Sequence, residues 1–288
     1  MEDLSRPSTS EDAADLSRRG FTALSVAAGV ALAGTSASGQ ASVVETDVDI
    51  KTPDGVADAA LFHPAGRKTP AVLMWTDIFG LRPAFRDMGR RLAAEGYTVL
   101  VPNPFYRLGR APMPKEPINF ADPSSRAKIG ELTGPLTADA VSRDAVAYVA
   151  FLDAQPSVNK HAKAGVVGYC MGGPFTLRTA AARADRIGAG VSCHGGNLVN
   201  DTPDSPHLLA PKIHAPYYFG IAANDDMRQP DQKTKLREAF DAAHDPATIE
   251  VYAGCNHGWC VPDGAAYNKE GAERAWGDML TLYKAQLA

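Results

Sequence analysis

The sequence has few cysteines, no charge of one dominant sign and no long hydrophobic run in its main part, and each shortage excludes a class of function. The four cysteines lack the paired spacing of a structural zinc site, so no metal is expected. Lys and Arg total 29 against 33 Asp and Glu, for a formal charge of −4. The chain therefore lacks the excess of basic residues that is typical of proteins that bind nucleic acid. From residue 42 onward no apolar run is long enough to span a bilayer, so the mature protein is expected to have no membrane span.

The first 41 residues differ in composition from the rest. Ser17-Arg18-Arg19-Gly20-Phe21 precedes an apolar run of small residues over positions 22–34, and small residues between Ala33 and Ala41 offer cleavage sites. This arrangement resembles a twin-arginine export signal, and the run is too short and too rich in Ala and Gly to span a bilayer. We predict a signal and flexible N-terminus at residues 1–41, one folded domain at 42–288, recognition by the twin-arginine export machinery, and a periplasmic or extracellular location. A chance arginine pair in a disordered tail is the alternative.

The remaining chain alternates short apolar runs with amphipathic segments. Strands are predicted at residues 43–50, 57–62, 71–75, 97–101, 164–169, 187–192, 217–222 and 249–252. Helices are predicted at residues 83–95, 137–154, from 172 onward, 231–243 and 265–287. Repeated prolines between positions 102 and 135 predict a long surface excursion without regular structure. The alternation indicates an α/β protein with a mostly parallel central sheet and helices on both faces, whose functional loops follow the strand C-terminal ends.

Gly168-Tyr169-Cys170-Met171-Gly172 is the most informative segment of the chain. It follows an apolar strand and precedes a helix, which matches the G-x-S-x-G nucleophile elbow of the α/β-hydrolase fold with cysteine in the serine position. Glycines remove side chains that would collide where the tight turn meets its neighbours. The turn would aim the Cys170 sulfur at a helix N-terminus, which favours a thiolate. A glycine-rich turn around a buried cysteine is the alternative.

An acid and a histidine follow the elbow in the order that this fold uses for its triad. Asn224-Asp225-Asp226 lies in the loop predicted after the strand at 217–222, and Asn256-His257-Gly258 lies in the loop predicted after the strand at 249–252. Because the expected order is nucleophile, acid, histidine, we predict that His257 takes the thiol proton and that an aspartate orients its ring. Asp225 is preferred as the acid, and Asp226 would then cap the following helix.

His194 is the main alternative histidine, because His194-Gly195-Gly196 also follows a predicted strand. Its position before the acid breaks the expected order, so we place it in the pocket wall. The remaining histidines fall before strands or in polar loops and are expected to be solvated: His63, His161, His207, His214 and His244. Export would permit a disulfide, for example between Cys255 and Cys260. Ordinary buried thiols are the alternative, above all for Cys193.

From about residue 45 to its end the chain resembles the dienelactone hydrolase family. The resemblance is carried by Thr76-Asp77-Ile78-Phe79-Gly80, residues 102–107, the cysteine elbow extended to Gly173, the segment from Gly220 to Asp225, and His257-Gly258. It implies the α/β-hydrolase fold, a triad of Cys170, Asp225 and His257, and an oxyanion hole made by the backbone N–H groups of Ile78 and Met171. It also implies hydrolysis of a small ester or lactone without a cofactor.

The resemblance also implies roles for two charged residues. Asp77 occupies a position usually held by glutamate, which interacts with the resting thiol and helps to ionise it; without the resemblance, Asp77 would be a loop carboxylate capping a turn. Arg107 matches an arginine that helps to hold a substrate carboxylate. Val261 stands where family enzymes have a second arginine, and a clamp reduced to one arginine should bind anionic substrates more weakly. Arg110 is expected to be a solvated surface residue.

Four aromatic residues adjoin the predicted catalytic loops: Trp75, Phe105, Tyr169 and Trp259. They would line an apolar pocket for an unsaturated ring, or pack in the core. For the chemistry, we expect the Cys170 thiolate to attack the carbonyl and form a thioester, which water activated by His257 then hydrolyses. The alternatives are a related cysteine hydrolase acting on thioesters or peptides, and a non-enzymatic binding protein with the same fold.

Overall fold

A single sheet organises the part of the chain that the computed structural model describes, which is residues 42–115, 118–119 and 122–287. Within these ranges the strands are β1 (Val43–Thr52), β2 (Gly55–Pro64), β3 (Ala71–Trp75), β4 (Thr98–Pro102), β5 (Ala164–Tyr169), β6 (Ile187–Cys193), β7 (Tyr217–Ala222) and β8 (Ala247–Tyr252). Their order is β1-β2-β4-β3-β5-β6-β7-β8. β1 and β2 pair antiparallel, as do β2 and β4, and every neighbouring pair from β4 to β8 is parallel. The predicted export signal lies outside the described residues.

Helices cover both faces of the sheet. They are α1 (Pro83–Ala94), α2 (Ser124–Thr133), α3 (Ala138–Ala154), α4 (Gly172–Ala182), α5 (Ala223–Arg228), α6 (Gln232–Ala243) and α7 (Lys269–Gln286), with a 3₁₀ helix at Pro206–Lys212. One core packs α1 and α7 against the sheet, and a second core packs α3, α4 and α6 against the opposite face. The predicted fold class, an α/β-hydrolase with a mostly parallel sheet between helical layers, is therefore confirmed.

The central strands were predictable because they are buried on both faces. Every residue of β3, β4, β5, β6 and β7 is buried. A strand covered by helices on both sides needs apolar or small residues at consecutive positions, and such runs stand out in the sequence. The edge strand β1 is mostly exposed and lacks such a run. It was predictable from the Pro53-Asp54-Gly55 turn that connects it to β2.

Helix boundaries follow local capping chemistry. α1 has Pro83 in its first turn, and the chain leaves it through Gly96, whose φ is +101°. Thr137 caps α3 by accepting the Ala140 N–H at 3.2 Å. Asn268 caps α7 by accepting the Gly271 N–H at 2.9 Å. That cap makes α7 begin at residue 269 rather than at the predicted residue 265.

Two expectations about irregular segments were wrong. The proline-rich stretch from 102 to 135 contains α2, whose helical periodicity is weak because its only buried residues are Ser125 and Leu132. The segment after β7 is the six-residue helix α5 rather than a loop. A helix shorter than two turns gives no periodic signal that sequence patterns can detect. Among the helices of the described residues, none has the length and apolar character needed to cross a membrane.

Candidate active site

The loops that follow β3, β5, β6, β7 and β8 carry the residues of interest. Because these strands run parallel, their C-terminal ends meet at one edge of the sheet. In strand order, this edge presents Ile78 after β3, Cys170 after β5, His194 after β6, Asp225 after β7 and His257 after β8. The fold therefore gathers residues that are up to 179 positions apart, from 78 to 257, around one site.

Cys170 sits in a strained turn between β5 and α4. Its φ is +52°, a left-handed conformation that non-glycine residues rarely adopt. Its N–H donates to the Cys193 carbonyl at 3.1 Å, and its carbonyl accepts from the N–H groups of Gly173 at 3.0 Å and Gly196 at 3.1 Å. These hydrogen bonds to α4 and to the loop after β6 hold the strained conformation in place.

The elbow needs its glycines because backbone passes against backbone. A Cβ at Gly168 would lie 2.0 Å from the Gly172 carbonyl oxygen, and a Cβ at Gly172 would lie 2.6 Å from the Thr76 carbonyl oxygen. Neither contact could relax by turning a side chain. The turn thus requires glycine on both sides of the cysteine.

Asp225 is the carboxylate that the structure brings to His257. Its Oδ2 lies 2.5 Å from Nδ1 of His257, and the His257 N–H donates to Oδ1 of Asn224 at 2.8 Å. Asp226, the alternative acid, forms an ion pair with Lys233 in α6 at 2.6 Å. The preference for Asp225 over Asp226 therefore agrees with the geometry.

The ring of His257 and the Cys170 side chain line the same cavity. Burial by itself would lower the pKa of His257, but the hydrogen bond that its ring donates to Asp225, the neighbouring Cys170 side chain and the charges of both raise the pKa to about 10. At neutral pH the ring is then an imidazolium between a carboxylate and a sulfur. A positive ring next to the sulfur stabilises negative charge on it, as cysteine nucleophiles require.

Cys170 and His257 open into a cavity of about 1000 Å³. Its apolar wall comprises Ile78, Ile129, Leu136, Met171, Pro174 and Phe175. Its polar wall comprises Thr133, Asn197, Asp225, Arg228, Gln229 and Gln232. A mostly apolar cleft with a few polar groups is typical of small-molecule sites.

Ile78 and Met171 line this cavity together with the nucleophile. Within the described residues, neither backbone N–H donates a hydrogen bond. Met171 directly precedes α4, so its N–H stands at the positive end of that helix. Both residues line the cavity, and their N–H groups have no acceptor among the described residues, so their part in an oxyanion hole stays a prediction.

Asp77 is bound by an arginine that sequence patterns did not single out. Its two carboxylate oxygens accept from Arg82 at 2.6 and 2.9 Å, and Oδ1 also accepts the Phe79 N–H at 2.9 Å. Arg82 extends the network to Asp263. Burial raises the pKa of Asp77 although Arg82 acts to lower it. Asp77 is not among the described cavity-lining residues, and its role in thiol activation stays a prediction.

Arg107 does not reach the cavity, contrary to the expectation that it holds a substrate carboxylate. Its guanidinium donates to both oxygens of Asp144 at 2.8 and 2.9 Å and to Asp54 at 2.6 Å. Asp144 is buried in α3, so this arginine compensates a buried charge. The other cationic candidate, Arg110, is an exposed residue paired with Asp49.

The aromatic residues beside the catalytic loops belong to the core. Trp75, Phe105, Tyr169 and Trp259 are each at most 2% exposed, and Trp75 donates from its ring N–H to Thr179 at 3.0 Å. None is among the described residues lining the cavity. Direct substrate contact by Trp75, Tyr169 and Trp259 therefore has no support in this geometry. The aromatic ring that lines the cavity is Phe175.

Sequence reasoning also missed Arg228 and the amides of the polar wall. Arg228 lies in α5, three residues after Asp225, and donates to Oδ1 of that carboxylate and to the Asn224 carbonyl. Three-residue spacing on a helix would have predicted this pair, but the segment was expected to be a loop. Arg228 therefore binds the Asp225 oxygen that His257 leaves free.

The remaining thiols lie behind the elbow. All four cysteines are free, so the Cys255–Cys260 bridge that the sequence permitted is not formed in this structure. Cys193 and Cys260 line a small cavity of about 120 Å³ beneath α7, and burial raises the pKa of Cys260. Within the described residues, no group of three or more His, Cys, Asp or Glu side chains is arranged to hold a metal ion.

Comparison with known proteins identifies the family. The family model of the dienelactone hydrolase family matches residues 57–287. A Methylorubrum extorquens protein provisionally named a carboxymethylenebutenolidase is 30% identical over 278 residues, covering 91% of this chain and 90% of that protein. A carboxymethylenebutenolidase of Rhodococcus opacus is 28% identical over 190 residues, covering 65% of this chain and 68% of that protein.

Solved structures agree with this assignment. A Klebsiella pneumoniae structure provisionally named a dienelactone hydrolase superposes with a TM-score of 0.73 at 26% identity, covering 84% of this chain and 99% of the other. A dienelactone hydrolase of Anabaena variabilis shares the fold at a TM-score of 0.60 and 19% identity, covering 85% and 99%. This chain is a hydrolase that belongs to the dienelactone hydrolase family.

Proposed function

We propose that this enzyme hydrolyses small carboxylic esters or lactones through a Cys170–His257–Asp225 triad and a thioester intermediate. The observation that carries the proposal is that Nδ1 of His257 lies 2.5 Å from the Asp225 carboxylate, while the same histidine lines the large cavity together with Cys170. A nucleophile, a base and an orienting acid in contact are the minimum for covalent acyl transfer.

The reaction would start from a Cys170 thiolate beside a His257 imidazolium. The sulfur attacks the carbonyl carbon, and the N–H groups of Ile78 and Met171 bind the oxyanion. Collapse breaks the ester C–O bond, the leaving alkoxide takes the His257 proton, and the acyl group stays on sulfur as a thioester. Neutral His257 then removes a proton from water, which attacks the thioester. Collapse of that second intermediate releases the carboxylic acid and restores the thiolate and the imidazolium.

The substrate we expect is an uncharged ester or lactone. Arg107 is occupied by two aspartates, and Val261 is a buried apolar residue. Among the described residues that line the cavity, the basic side chain is that of Arg228, and it is already paired with Asp225. The acyl group would lie on the apolar wall formed by residues such as Ile129, Leu136 and Phe175.

A hydrolysis screen tests this proposal. The mature protein is assayed on aryl esters and lactones with and without a carboxylate, beside an acyl thioester and a short peptide. We expect turnover of the uncharged esters or lactones and its loss in Cys170→Ala, with an unchanged far-UV circular dichroism spectrum. Full activity in Cys170→Ala would refute the triad. Preference for the thioester or the peptide would refute the substrate class.

We also propose that the enzyme is exported folded through the twin-arginine pathway. The support is the Arg18-Arg19 pair, Phe21 and the short apolar run that follows them. Residues 1–41 fused to a reporter that works only after twin-arginine export should direct it out of the cytoplasm. Replacing both arginines by lysine should retain it inside. Export unaffected by that replacement would contradict the proposal.

A further inference from the structure

His194 occupies an unusual position directly behind the nucleophile. It follows the last residue of β6, its φ is +40°, and its backbone N–H donates to the Gly220 carbonyl at 2.8 Å. The side chain is 1% exposed and is not among the described residues lining the large cavity. The sequence-based expectation placed His194 in the pocket wall, but the structure buries it behind that wall, beneath Cys170.

The imidazole of His194 is a hydrogen-bond acceptor for the elbow. Its Nδ1 accepts the Cys170 N–H at 3.1 Å, so this N–H is shared between Nδ1 and the Cys193 carbonyl. A ring nitrogen that accepts an N–H carries no proton, so the neutral ring has its proton on Nε2. Burial, with the charge of His257 as a second cause, holds the pKa of His194 well below its usual value.

The same ring packs against the catalytic base. The ring centroids of His194 and His257 are 5.1 Å apart in an edge-to-face arrangement, and Trp259 contacts the His194 ring at the same distance. Tyr169 lies 6.0 Å away on another side. One side chain therefore contacts both the segment that carries the nucleophile and the segment that carries the base.

The remaining ring nitrogen makes no hydrogen bond. Within the described residues, Nε2 of His194 is buried and has no partner. An unpaired buried N–H costs stability that an apolar side chain would avoid. What histidine provides in exchange is the Nδ1 acceptor and a flat ring that fits between Cys170 and His257.

We propose that His194 is a positioning residue: its neutral ring fixes the Cys170 elbow through Nδ1 and sets the spacing between the sulfur and the His257 imidazole. The inference rests on the proposed function, because it concerns the nucleophile and base of that mechanism. His194 makes no contact with the substrate in this account. Its effect reaches the reaction through the geometry of Cys170 and His257.

Two variants test separately the hydrogen-bond acceptor of His194 and the packing of its ring. In His194→Asn, Oδ1 stands as many bonds from the backbone as Nδ1 does, so it can accept the Cys170 N–H, and Asn tolerates a positive φ. In His194→Phe, the ring and its packing remain but the acceptor is lost. Thermal unfolding of both proteins serves as the check that the fold persists.

The primary measurement is the rate of Cys170 alkylation by iodoacetamide, with the label located by peptide mass spectrometry. We expect His194→Asn to react within about threefold of the wild type and His194→Phe to react about tenfold to a hundredfold more slowly. With a substrate ester, kcat should fall in the same order while KM stays constant, because His194 does not line the cavity. A wild-type alkylation rate in His194→Phe, or equal impairment of both variants, would overturn the inference.

A second measurement covers the case in which His194→Phe does not fold. Ring ¹⁵N NMR of the wild-type protein should show His194 neutral, with its proton on Nε2, across pH 5 to 9. A proton on Nδ1 at any pH in that range would overturn the inference. Alkylation needs no ester turnover, so these results judge His194 separately from the proposed function. Ester hydrolysis that survives in Cys170→Ala would refute the proposed function, whereas the alkylation rates would still show whether His194 controls the reactivity of Cys170.

Discussion

At the scale of single residues, opposing influences act on the pKa of His257. Its ring is largely buried, which disfavours the charged form, yet the Asp225 carboxylate and the Cys170 side chain outweigh burial and raise its pKa to about 10. Arg228 binds the other oxygen of Asp225, which leaves Oδ2 directed at the ring. The protonation state of the base is therefore set by Asp225 in α5 and by Cys170 in the turn before α4.

This pKa shift predicts how stability depends on pH. A pKa raised from 6.5 to about 10 on folding means that the folded protein binds the His257 proton more tightly than the unfolded chain does. The stabilisation is complete below pH 6.5 and is lost as the pH rises toward 10. Urea unfolding at pH 6, 8 and 10 should show an advantage of the wild type over His257→Gln that shrinks with pH. An advantage that grows with pH would contradict the assignment.

The two adjacent aspartates offer a matched comparison. Asp225→Asn should lower kcat by roughly a thousandfold to ten-thousandfold, because an amide no longer holds the imidazole in its working tautomer. Asp226→Asn removes a partly exposed pair with Lys233 and should leave kcat near the wild-type value. Steady-state kinetics on one activated ester measure both effects. Equal losses in the two variants would show that the acid was assigned wrongly.

At the scale of elements, the ion pairs around Arg107 hold three segments together. Arg107 follows β4, Asp144 lies in α3, and Asp54 lies in the turn between β1 and β2. The Asp144 side chain is only 2% exposed, so its charge depends on the arginine and on the Tyr106 hydroxyl at 2.7 Å. The residue expected to bind substrate is thus a structural link.

Removing this link should cost stability rather than change specificity. Arg107→Ala leaves a buried carboxylate without its cation and is expected to lower the free energy of unfolding by about 3 kcal/mol or more. Arg143→Ala, which removes an exposed arginine from the same Asp54, should leave the free energy of unfolding close to that of the wild type. Urea unfolding measures both. The ratio of the KM values for a carboxylate-bearing ester and a neutral ester should be unchanged in Arg107→Ala. A rise in KM for the anionic ester alone would show that Arg107 binds the substrate carboxylate.

At the scale of the whole molecule, the parts predicted from sequence are those set by local patterns. Buried parallel strands leave apolar runs, glycines mark the elbow, and the chain order of Cys170, Asp225 and His257 follows from strand order. The misses have physical causes. α2 and α5 are too exposed or too short to show a period, and the partner of Arg107 lies 37 residues away in α3. Contacts between residues that are far apart in the sequence produce no local sequence pattern.

The central claim is that acyl groups pass through the sulfur of Cys170. Intact-mass spectrometry of rapidly quenched protein mixed with an activated aryl ester tests it most directly. The account predicts one added acyl mass, located on the peptide that carries Cys170, which forms before steady state and disappears as substrate is exhausted. It predicts no such adduct in Cys170→Ala. Turnover at the full rate with no acyl group on Cys170, or with the acyl group on another residue, would contradict the account.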